Sequence, residues 1–271
     1  MVAKTATPSR LKASGISLGY QERVIARDVS IEIPNAAITS IIGANGCGKS
    51  TLLRGLSKLL LPSTGTVTLD GKDLRDYRQR DFAKLVSMLP QSPITPPGVT
   101  VADLVARGRH PHQSWLQQWS SAHSTATTRA MEMTGILDLK DREVDQLSGG
   151  QRQRVWISMV LAQDTDIILL DEPTTYLDLA HSIEVLDLVS CLNRCHGKTV
   201  VMVLHDLNLA ARYSDQLVLM KNGEIIATGS PADILTPEYL EEAYGLKSRV
   251  ITDPCAEGPL VVPELSKHRS H

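Results

Sequence analysis

The chain has 271 residues, of which 42% are hydrophobic, and its formal net charge at pH 7 is −2. This length and composition allow one large domain with a genuine core, and the scattered Lys and Arg residues argue against a nucleic-acid-binding protein. No apolar run reaches the roughly 18 residues of a membrane span and no signal peptide is visible, so a cytoplasmic protein is expected.

The first third of the chain predicts strands and one strand–loop–helix unit. Residues 1–10 are expected to be disordered, and alternating segments within residues 11–34 predict antiparallel strands. An apolar run at residues 37–42 leads into a glycine-rich loop, and KSTLLRGLSKLL after it has helical spacing. Two further strands are predicted at TVTLDG and KLVSMLPQ, the second ending near Gln91.

The character of the chain changes between residues 92 and 147. Prolines and a glycine interrupt it first, and Thr100 with Asp103 then forms a capping pair before VADLVARG. The segment STATTRAMEMTGILDL is amphipathic with helical spacing. These features predict an inserted helical subdomain.

The remaining sequence alternates apolar strands with helices. DIILLDE and TVVMVLHD are nearly continuous apolar runs, separated by the helical segment SIEVLDLVSCLNRC. Such strands, joined through helices, are typical of a parallel sheet covered on both faces, so the predicted fold class is α/β. The predicted parts are a disordered start (1–10), a parallel-sheet core with an antiparallel β subdomain (11–91 and 148–245), the helical subdomain (92–147), a C-terminal extension with strand-like RVIT and PLVVP (246–265) and a disordered tail (266–271).

The glycine-rich loop fits the phosphate-loop pattern G-x-x-x-x-G-K-[ST] between a strand and a helix. Its glycines permit a tight turn that directs N–H groups at phosphate oxygens. Lys49 supplies a positive charge for the β and γ phosphates, and Ser50 offers a hydroxyl to Mg²⁺. The predicted nucleotide-binding residues of this loop are Gly43, Ala44, Asn45, Gly46, Cys47, Gly48, Lys49, Ser50 and Thr51.

Polar residues follow three of the predicted strands, where open α/β sheets bind ligands. Asp171 can hold Mg²⁺ through water, and Glu172 can orient an attacking water. Gln91 can contact Mg²⁺ or water, and His205 can donate a hydrogen bond to phosphate. Read singly, Gln91 and His205 are also explained as ordinary polar residues at strand ends.

The pentapeptide Leu147-Ser148-Gly149-Gly150-Gln151 predicts the start of a helix. Ser148 and Gln151 have the spacing of a capping box, and the two glycines with the helix dipole favour a bound anion such as phosphate. An ordinary N-cap is the alternative.

Three further features have two interpretations each. Asp178 can cap a helix or contact a facing subunit, and Tyr20 can stack on a purine or pack across strands. The cysteines lack disulfide spacing and are expected to be reduced thiols. Cys191, Cys195 and His196 form a weak candidate for metal ligation, with packing or exposed thiols as the alternative.

Together, the phosphate loop, Gln91, LSGGQ, LLDE, Asp178 and His205 resemble the ATP-binding cassette (ABC) family across nearly the whole chain. The resemblance implies a P-loop NTPase that uses ATP and Mg²⁺. It also implies a head-to-tail dimer, in which each phosphate loop faces Ser148 and Gly150 of the other chain across an ATP. The resemblance implies that Tyr20 stacks on the adenine. It implies four catalytic residues: Glu172 as the base, His205 as the switch histidine, Gln91 as the hinge that senses the helical subdomain, and Lys49. Mg²⁺ binding is implied for Ser50, Gln91 and Asp171, and contact with the ATP of the other chain for residues 147–151.

VTVADLVARGRHPHQ, DEPTTYLDLAH and LHDLNLAARYSD are similar to segments of bacterial importer ATPases for ferric siderophores, haem and cobalamin, with the ferric-siderophore group nearest. This implies a peripheral protein at the cytoplasmic face of the inner membrane, bound to a separate permease and indirectly linked to a substrate-binding protein. The permease loops are expected at residues 107–118. Two departures are Ser182, where glutamine is frequent, and Cys47, where serine is common.

Other functions stay open at this point. Haem or cobalamin import is the alternative within the subgroup. A soluble cassette protein of ribosomes or DNA repair is the alternative of another class, against which a single cassette without a sustained heptad insertion argues. A non-hydrolysing regulatory module and an exporter half are weaker alternatives, because the catalytic residue types are intact and no membrane domain is fused.

Overall fold

The computed structural model describes residues 9–21, 23–113, 121–175 and 177–264. The strands are β1 (Leu11–Tyr20), β2 (Arg23–Ile33), β3 (Ile38–Gly43), β4 (Thr64–Leu69), β5 (Lys72–Asp73), β6 (Val86–Leu89), β7 (Ile167–Asp171), β8 (Thr199–Val203), β9 (Gln216–Lys221), β10 (Glu224–Gly229), β11 (Ser248–Thr252) and β12 (Pro259–Pro263). The α-helices are α1 (Lys49–Leu56), α2 (Gln79–Phe82), α3 (Val101–Arg107), α4 (Ser121–Met133), α5 (Gly149–Ala162), α6 (Leu179–His196), α7 (Leu207–Tyr213), α8 (Pro231–Ile234) and α9 (Pro237–Tyr244).

Six strands form the central sheet in the order β10-β9-β3-β8-β7-β6. Five of them are parallel, and β10 pairs antiparallel with β9 at one edge. Every residue of β3, β7 and β8 is buried, as a sheet covered on both faces requires. The predicted α/β class is therefore confirmed, and the carboxyl ends of β3, β6, β7 and β8 all reach one edge.

A second sheet, with the order β2-β1-β4-β5, is antiparallel and covers α1 from the other side. Helix α1 contacts β1 and β2 of this sheet as well as β3, β7 and β8 of the central sheet. The approach is close at Gly55, where an added Cβ would lie 2.6 Å from Leu18 Cδ1. The antiparallel sheet thus fixes the helix that follows the phosphate loop.

The helical insertion contains α3 and α4, which pack on each other and on α5. Thr100 Oγ1 accepts the N–H of Asp103 at 3.2 Å, so the predicted capping pair starts α3. The core at this junction includes Leu104, Met131 and Val155, all buried. The insertion is therefore anchored to the helix that begins with the pentapeptide. None of the helices in the described ranges is both long and apolar enough to span a bilayer.

The start of the chain differs from the prediction. The expected disorder of residues 1–8 and 266–271 lies outside the described residues, but Ser9 and Arg10 lie within them. Arg10 Nε donates to Asp70 Oδ1 at 2.6 Å, and its Nη1 donates to Asp166 Oδ2 at 2.9 Å. The predicted disorder therefore does not extend to Ser9 and Arg10. The partners of Arg10 are too distant in the sequence for local composition to indicate them.

Candidate functional site

A cavity of about 800 Å³ lies at the edge where the parallel strands end. It brings together residues from the antiparallel sheet, the phosphate loop and the ends of three strands, as the topology of open α/β sheets predicts. Its lining consists of Tyr20, Arg23, Ile25, Asn45, Gly46, Gly48, Lys49, Ser50, Thr51, Gln91, Glu172, Thr175 and His205.

The phosphate loop has backbone angles that favour glycine. Gly46 and Gly48 have φ of 77° and 106°, and an added Cβ on Gly43 would lie 2.3 Å from Met220 O. Lys49 Nζ donates to Gly43 O at 2.8 Å and to Ala44 O at 3.0 Å. The ammonium group is thus held inside the loop, where its charge adds to the N–H dipoles that a phosphate would meet.

Three predicted loop residues, Gly43, Ala44 and Cys47, do not line the cavity. The Cys47 side chain is 5% exposed and packs in the core between the two sheets, and burial raises the pKa of its thiol. Its carbonyl accepts the N–H of Gly223 at 3.0 Å, in the turn between β9 and β10. The Cys47 side chain therefore supports the loop from behind, which sequence periodicity could not show.

Asp171 and Ser50 form the part of the site that suits a hard cation. Ser50 Oγ donates to Asp171 Oδ1 at 2.8 Å. Asp171 is 1% exposed, and its Oδ2 has no hydrogen-bond partner among the described residues. Burial, as the largest influence, raises the pKa of this carboxyl. A buried, unsatisfied carboxylate oxygen beside a hydroxyl fits Mg²⁺, which prefers oxygen ligands.

Glu172 is the point at which the strand-end residues meet. Its Oε1 lies 2.7 Å from His205 Nε2, and its Oε2 accepts from Gln91 Nε2 at 2.7 Å and from Thr175 Oγ1 at 2.9 Å. Burial opposes its ionisation, but the hydrogen bonds from His205, Thr175 and Gln91 outweigh burial and lower its pKa. The group is thus a carboxylate at neutral pH, able to accept a proton from water.

The backbone at Glu172 is unusual as well, with φ of 55°. A non-glycine residue in the left-handed region is uncommon and costs about 1–3 kcal/mol, and such residues cluster at functional sites. The strand β7 ends one residue earlier, at Asp171. The two adjacent carboxylates therefore leave the sheet in different directions, one towards Ser50 and the other towards His205.

The structure adds site residues that were not predicted from the sequence. Thr175 lies three residues after Glu172, and its hydroxyl donates to the Glu172 carboxylate. This short spacing in the sequence could have indicated Thr175 as a site residue. Arg54 Nη1 donates to the Tyr20 hydroxyl at 2.8 Å, a contact that nothing in the local sequence signals. Tyr20 is 43% exposed at the rim of the cavity, where its ring can take a flat partner.

The pentapeptide starts α5 with the predicted capping box: Gln151 N donates to Ser148 Oγ at 3.3 Å, and Ser148 N donates to Gln151 Oε1 at 3.1 Å. Leu147 is 4% exposed and belongs to the core, so its side chain is not open to a ligand. Ser148 and Gly149 are exposed, and none of the five residues lines the cavity of their own chain. An added Cβ on Gly150 would lie 2.8 Å from His181 Cδ2, which packs the start of α5 against α6.

The two interpretations of Asp178 are resolved in part. Its Oδ1 accepts the His181 N–H at 2.9 Å and lies 2.7 Å from His181 Nδ1, so Asp178 caps α6. Contact with a facing subunit stays a prediction. Cys191 Sγ and Cys195 Sγ lie 3.2 Å apart on the exposed side of α6. In the described part of the chain, no three His, Cys, Asp or Glu side chains come together as ligands for a metal ion.

Comparisons with known proteins agree with this geometry. A family model described as "ABC transporter" matches residues 26–175. The ferric enterobactin transport ATP-binding protein FepC of Escherichia coli (strain K12) is 50% identical over 259 residues, with 96% of each chain covered. The achromobactin transport ATP-binding protein CbrD of Dickeya dadantii (strain 3937) is 49% identical, with 92% of each covered.

Solved structures show the same fold. An inward-facing, metal-chelate type ABC transporter matches with a TM-score of 0.82 and 27% identity, covering 95% of this chain and 98% of that one. A dimeric bacterial ABC transporter cassette matches with a TM-score of 0.72 and 27% identity, covering 82% and 98%.

Proposed function

Since this chain belongs to the ABC transporter family and is an ATPase, we propose that it is the ATP-hydrolysing subunit of a bacterial importer that takes up ferric siderophores through a separate permease. The names of its relatives, at 50% and 49% identity over nearly the whole chain, support this cargo class. Haem or cobalamin is the alternative cargo, and a growth test distinguishes these from ferric siderophores.

The observation that carries the hydrolytic role is the group of hydrogen bonds around Glu172. His205, Gln91 and Thr175 hold one ionised carboxylate at the rim of the phosphate-loop cavity. A carboxylate fixed in this way can orient a water molecule and take its proton as the water attacks the γ phosphate. Once the γ phosphate is bound, His205 can turn its ring N–H towards it.

We assign Mg²⁺ to Ser50, Asp171 and Gln91 for the same activity. The unsatisfied Asp171 Oδ2 and the Ser50 hydroxyl support this assignment. When bound, Mg²⁺ supplies neutralising charge for the phosphate oxygens. Lys49 holds the β and γ phosphates, and Tyr20 offers its exposed ring to the adenine.

The functional form that we propose is a dimer of two such chains. Ser148 and Gly149 are exposed, and the pentapeptide does not line the cavity of its own chain. A helix N-terminus with free N–H groups suits a phosphate held by a second copy. The fold similarity to a dimeric cassette supports this assembly. ATP would then join the two chains, and hydrolysis would release them.

The permease partner is proposed to meet the helical insertion at the cytoplasmic face of the inner membrane. Of the expected contact region, residues 107–113 are described and residues 114–118 lie outside the described ranges. Arg109 Nη1 donates to Ala162 O at 2.8 Å, and His112 Nε2 lies 2.7 Å from Gln163 O. Force on this segment would thus reach the C-terminal end of α5, the helix whose N-cap is Ser148. The substrate-binding protein is an indirect partner.

Two measurements test this proposal. The purified chain is expected to release phosphate from ATP with Mg²⁺, and Lys49→Ala is expected to abolish release. Deletion of the gene is expected to prevent growth on ferric siderophore while leaving growth on haem iron and cobalamin-dependent growth intact. If the purified chain releases phosphate but the deletion strain still grows on ferric siderophore, the proposed cargo is contradicted and the ATPase activity is not.

A further inference from the structure

The helix α7 starts two residues after His205, and its position therefore sets where the imidazole stands. Asp206 caps this helix, its Oδ1 accepting the N–H groups of Asn208 and Leu209 at 2.8 Å and 2.9 Å. The buried side of α7 includes Leu209 and Ala210. Its other contacts include the C-terminal hairpin formed by β11 and β12.

Asn208 joins α7 to β12 through its side-chain amide. Its Oδ1 accepts the Val261 N–H at 2.8 Å, and its Nδ2 donates to Val261 O at 3.2 Å. Both backbone groups of Val261 are therefore paired by one side chain, in the manner of a neighbouring strand. Val261 itself is buried in the core, so the distance between α7 and the hairpin is fixed.

Arg212 repeats the connection one helical turn later, on the same face of α7. Its Nε donates to Asp253 Oδ2 at 2.7 Å and its Nη2 to Asp253 Oδ1 at 3.2 Å. The Asp253 side chain is 2% exposed. Asp253 Oδ1 also accepts the Cys255 N–H at 2.9 Å, and Asp253 N donates to Gly258 O at 2.9 Å. Asp253 is thus part of the turn that closes the hairpin.

From these contacts we propose that Asn208, with the Arg212–Asp253 pair, positions His205 for hydrolysis by fastening α7 to the C-terminal hairpin. The inference rests on the proposed role of His205. Neither Asn208 nor Asp253 lines the cavity, and the side-chain partners shown for Glu172 are His205, Gln91 and Thr175. Asn208 and Asp253 are therefore positioning residues. The nucleotide-holding groups Tyr20 and Lys49 lie on other elements, so loosening α7 affects turnover and spares ATP binding.

The test is steady-state ATP hydrolysis by the full chain, at a temperature at which all variants are folded. Asn208→Ala and Asp253→Asn are each expected to lower kcat by about tenfold and to change KM for ATP by less than about twofold. Arg212→Lys, which keeps the charge, is expected to lose less than Arg212→Ala. Arg249→Ala is the matched control, because its ion pair with Glu264 is exposed and involves no residue of α7.

To distinguish a purely structural role of Asn208 from an action through His205, the Asn208→Ala substitution is repeated in a His205→Ala background. If Asn208 acts through His205, the second change lowers the residual kcat by less than about twofold. An undiminished tenfold loss in that background, or an unchanged kcat in the wild-type background, would overturn the inference. If the wild-type chain itself does not hydrolyse ATP, the proposed function is contradicted instead.

Discussion

His205 Nε2 lies 2.7 Å from Glu172 Oε1, across the carboxyl ends of the neighbouring parallel strands β8 and β7. A hydrogen bond between these ends orients the carboxylate and holds the imidazole beside the proposed site of the γ phosphate. This contact, together with the hydrogen bonds from Thr175 and Gln91, explains why Glu172 stays ionised although its side chain is only 9% exposed.

Glu172→Gln is expected to lower kcat by about 10²–10⁴-fold, because an amide cannot take the proton of the attacking water. ATP affinity should be retained, since Lys49 and Ser50 are unchanged. In the presence of ATP, the variant should then accumulate as a dimer, which size-exclusion chromatography detects. Glu184→Gln is the control, because Glu184 is exposed and pairs with Arg154 outside the cavity lining. A variant that hydrolyses ATP at the wild-type rate would remove Glu172 from the mechanism.

Asp171→Asn is expected to abolish the stabilisation that Mg²⁺ adds to ATP binding. The amide keeps the shape and can accept the Ser50 hydrogen bond, but it lacks the charge that favours a divalent cation. Melting temperature with ATP, measured with and without Mg²⁺, reports the difference. If Mg²⁺ raises the melting temperature of the variant as much as that of the wild type, the assignment of Asp171 fails.

Ser148→Ala is expected to abolish ATP-dependent dimerisation and cooperative turnover while leaving monomer binding of ATP intact. Loss of its cap also destabilises α5 by about 1 kcal/mol. Ser230→Ala is a matched control, since Ser230 forms the same kind of capping box with Asp233 at α8. Cooperative turnover that survives in Ser148→Ala would argue against a phosphate contact in trans.

Cys47 is expected to react slowly with iodoacetamide, because it is buried and burial raises the pKa of its thiol. The exposed Cys255 should react first, as measured by peptide mass spectrometry over time. Cys47→Ser should keep ATP hydrolysis, since the thiol faces the core. Modification of Cys47 as fast as that of Cys255 would show that the loop opens in solution.

The stability of the fold should depend on pH through Arg10 and Asp70. Hydrogen bonds from Arg10 lower the pKa of Asp70 below its ordinary 3.8. A lowered pKa means that the stabilisation is complete above the ordinary value and is lost as pH falls through the folded value. Asp70→Asn should therefore cost about 0.5–1 kcal/mol at pH 7. The difference measured by urea unfolding should shrink as the pH falls below 3.8 and through the lowered pKa of Asp70. A difference that stays constant over that range would contradict the ion pair.

Much of this site is predictable from the sequence, because phosphate loops and strand ends are local patterns. The loop, the helix starts at Ser148 and Thr100 and the strand-end positions of Asp171 and His205 all follow from spacing. Directions of individual side chains do not. Cys47 and Leu147 face the core, and the Arg54 contact with Tyr20 joins separate elements, which are packing results that no local pattern encodes.

Gly223 connects the phosphate loop to its surroundings through backbone hydrogen bonds. Its N–H donates to Cys47 O at 3.0 Å and its carbonyl accepts from Arg27 N at 2.9 Å. An added Cβ would lie 2.1 Å from Ile25 O. One residue thus ties the loop to both sheets, so nucleotide binding need not freeze a flexible segment and avoids roughly 1–2 kcal/mol of entropy per residue. A side chain at position 223 would push the two sheets apart and raise the dissociation constant for ATP without touching the nucleotide.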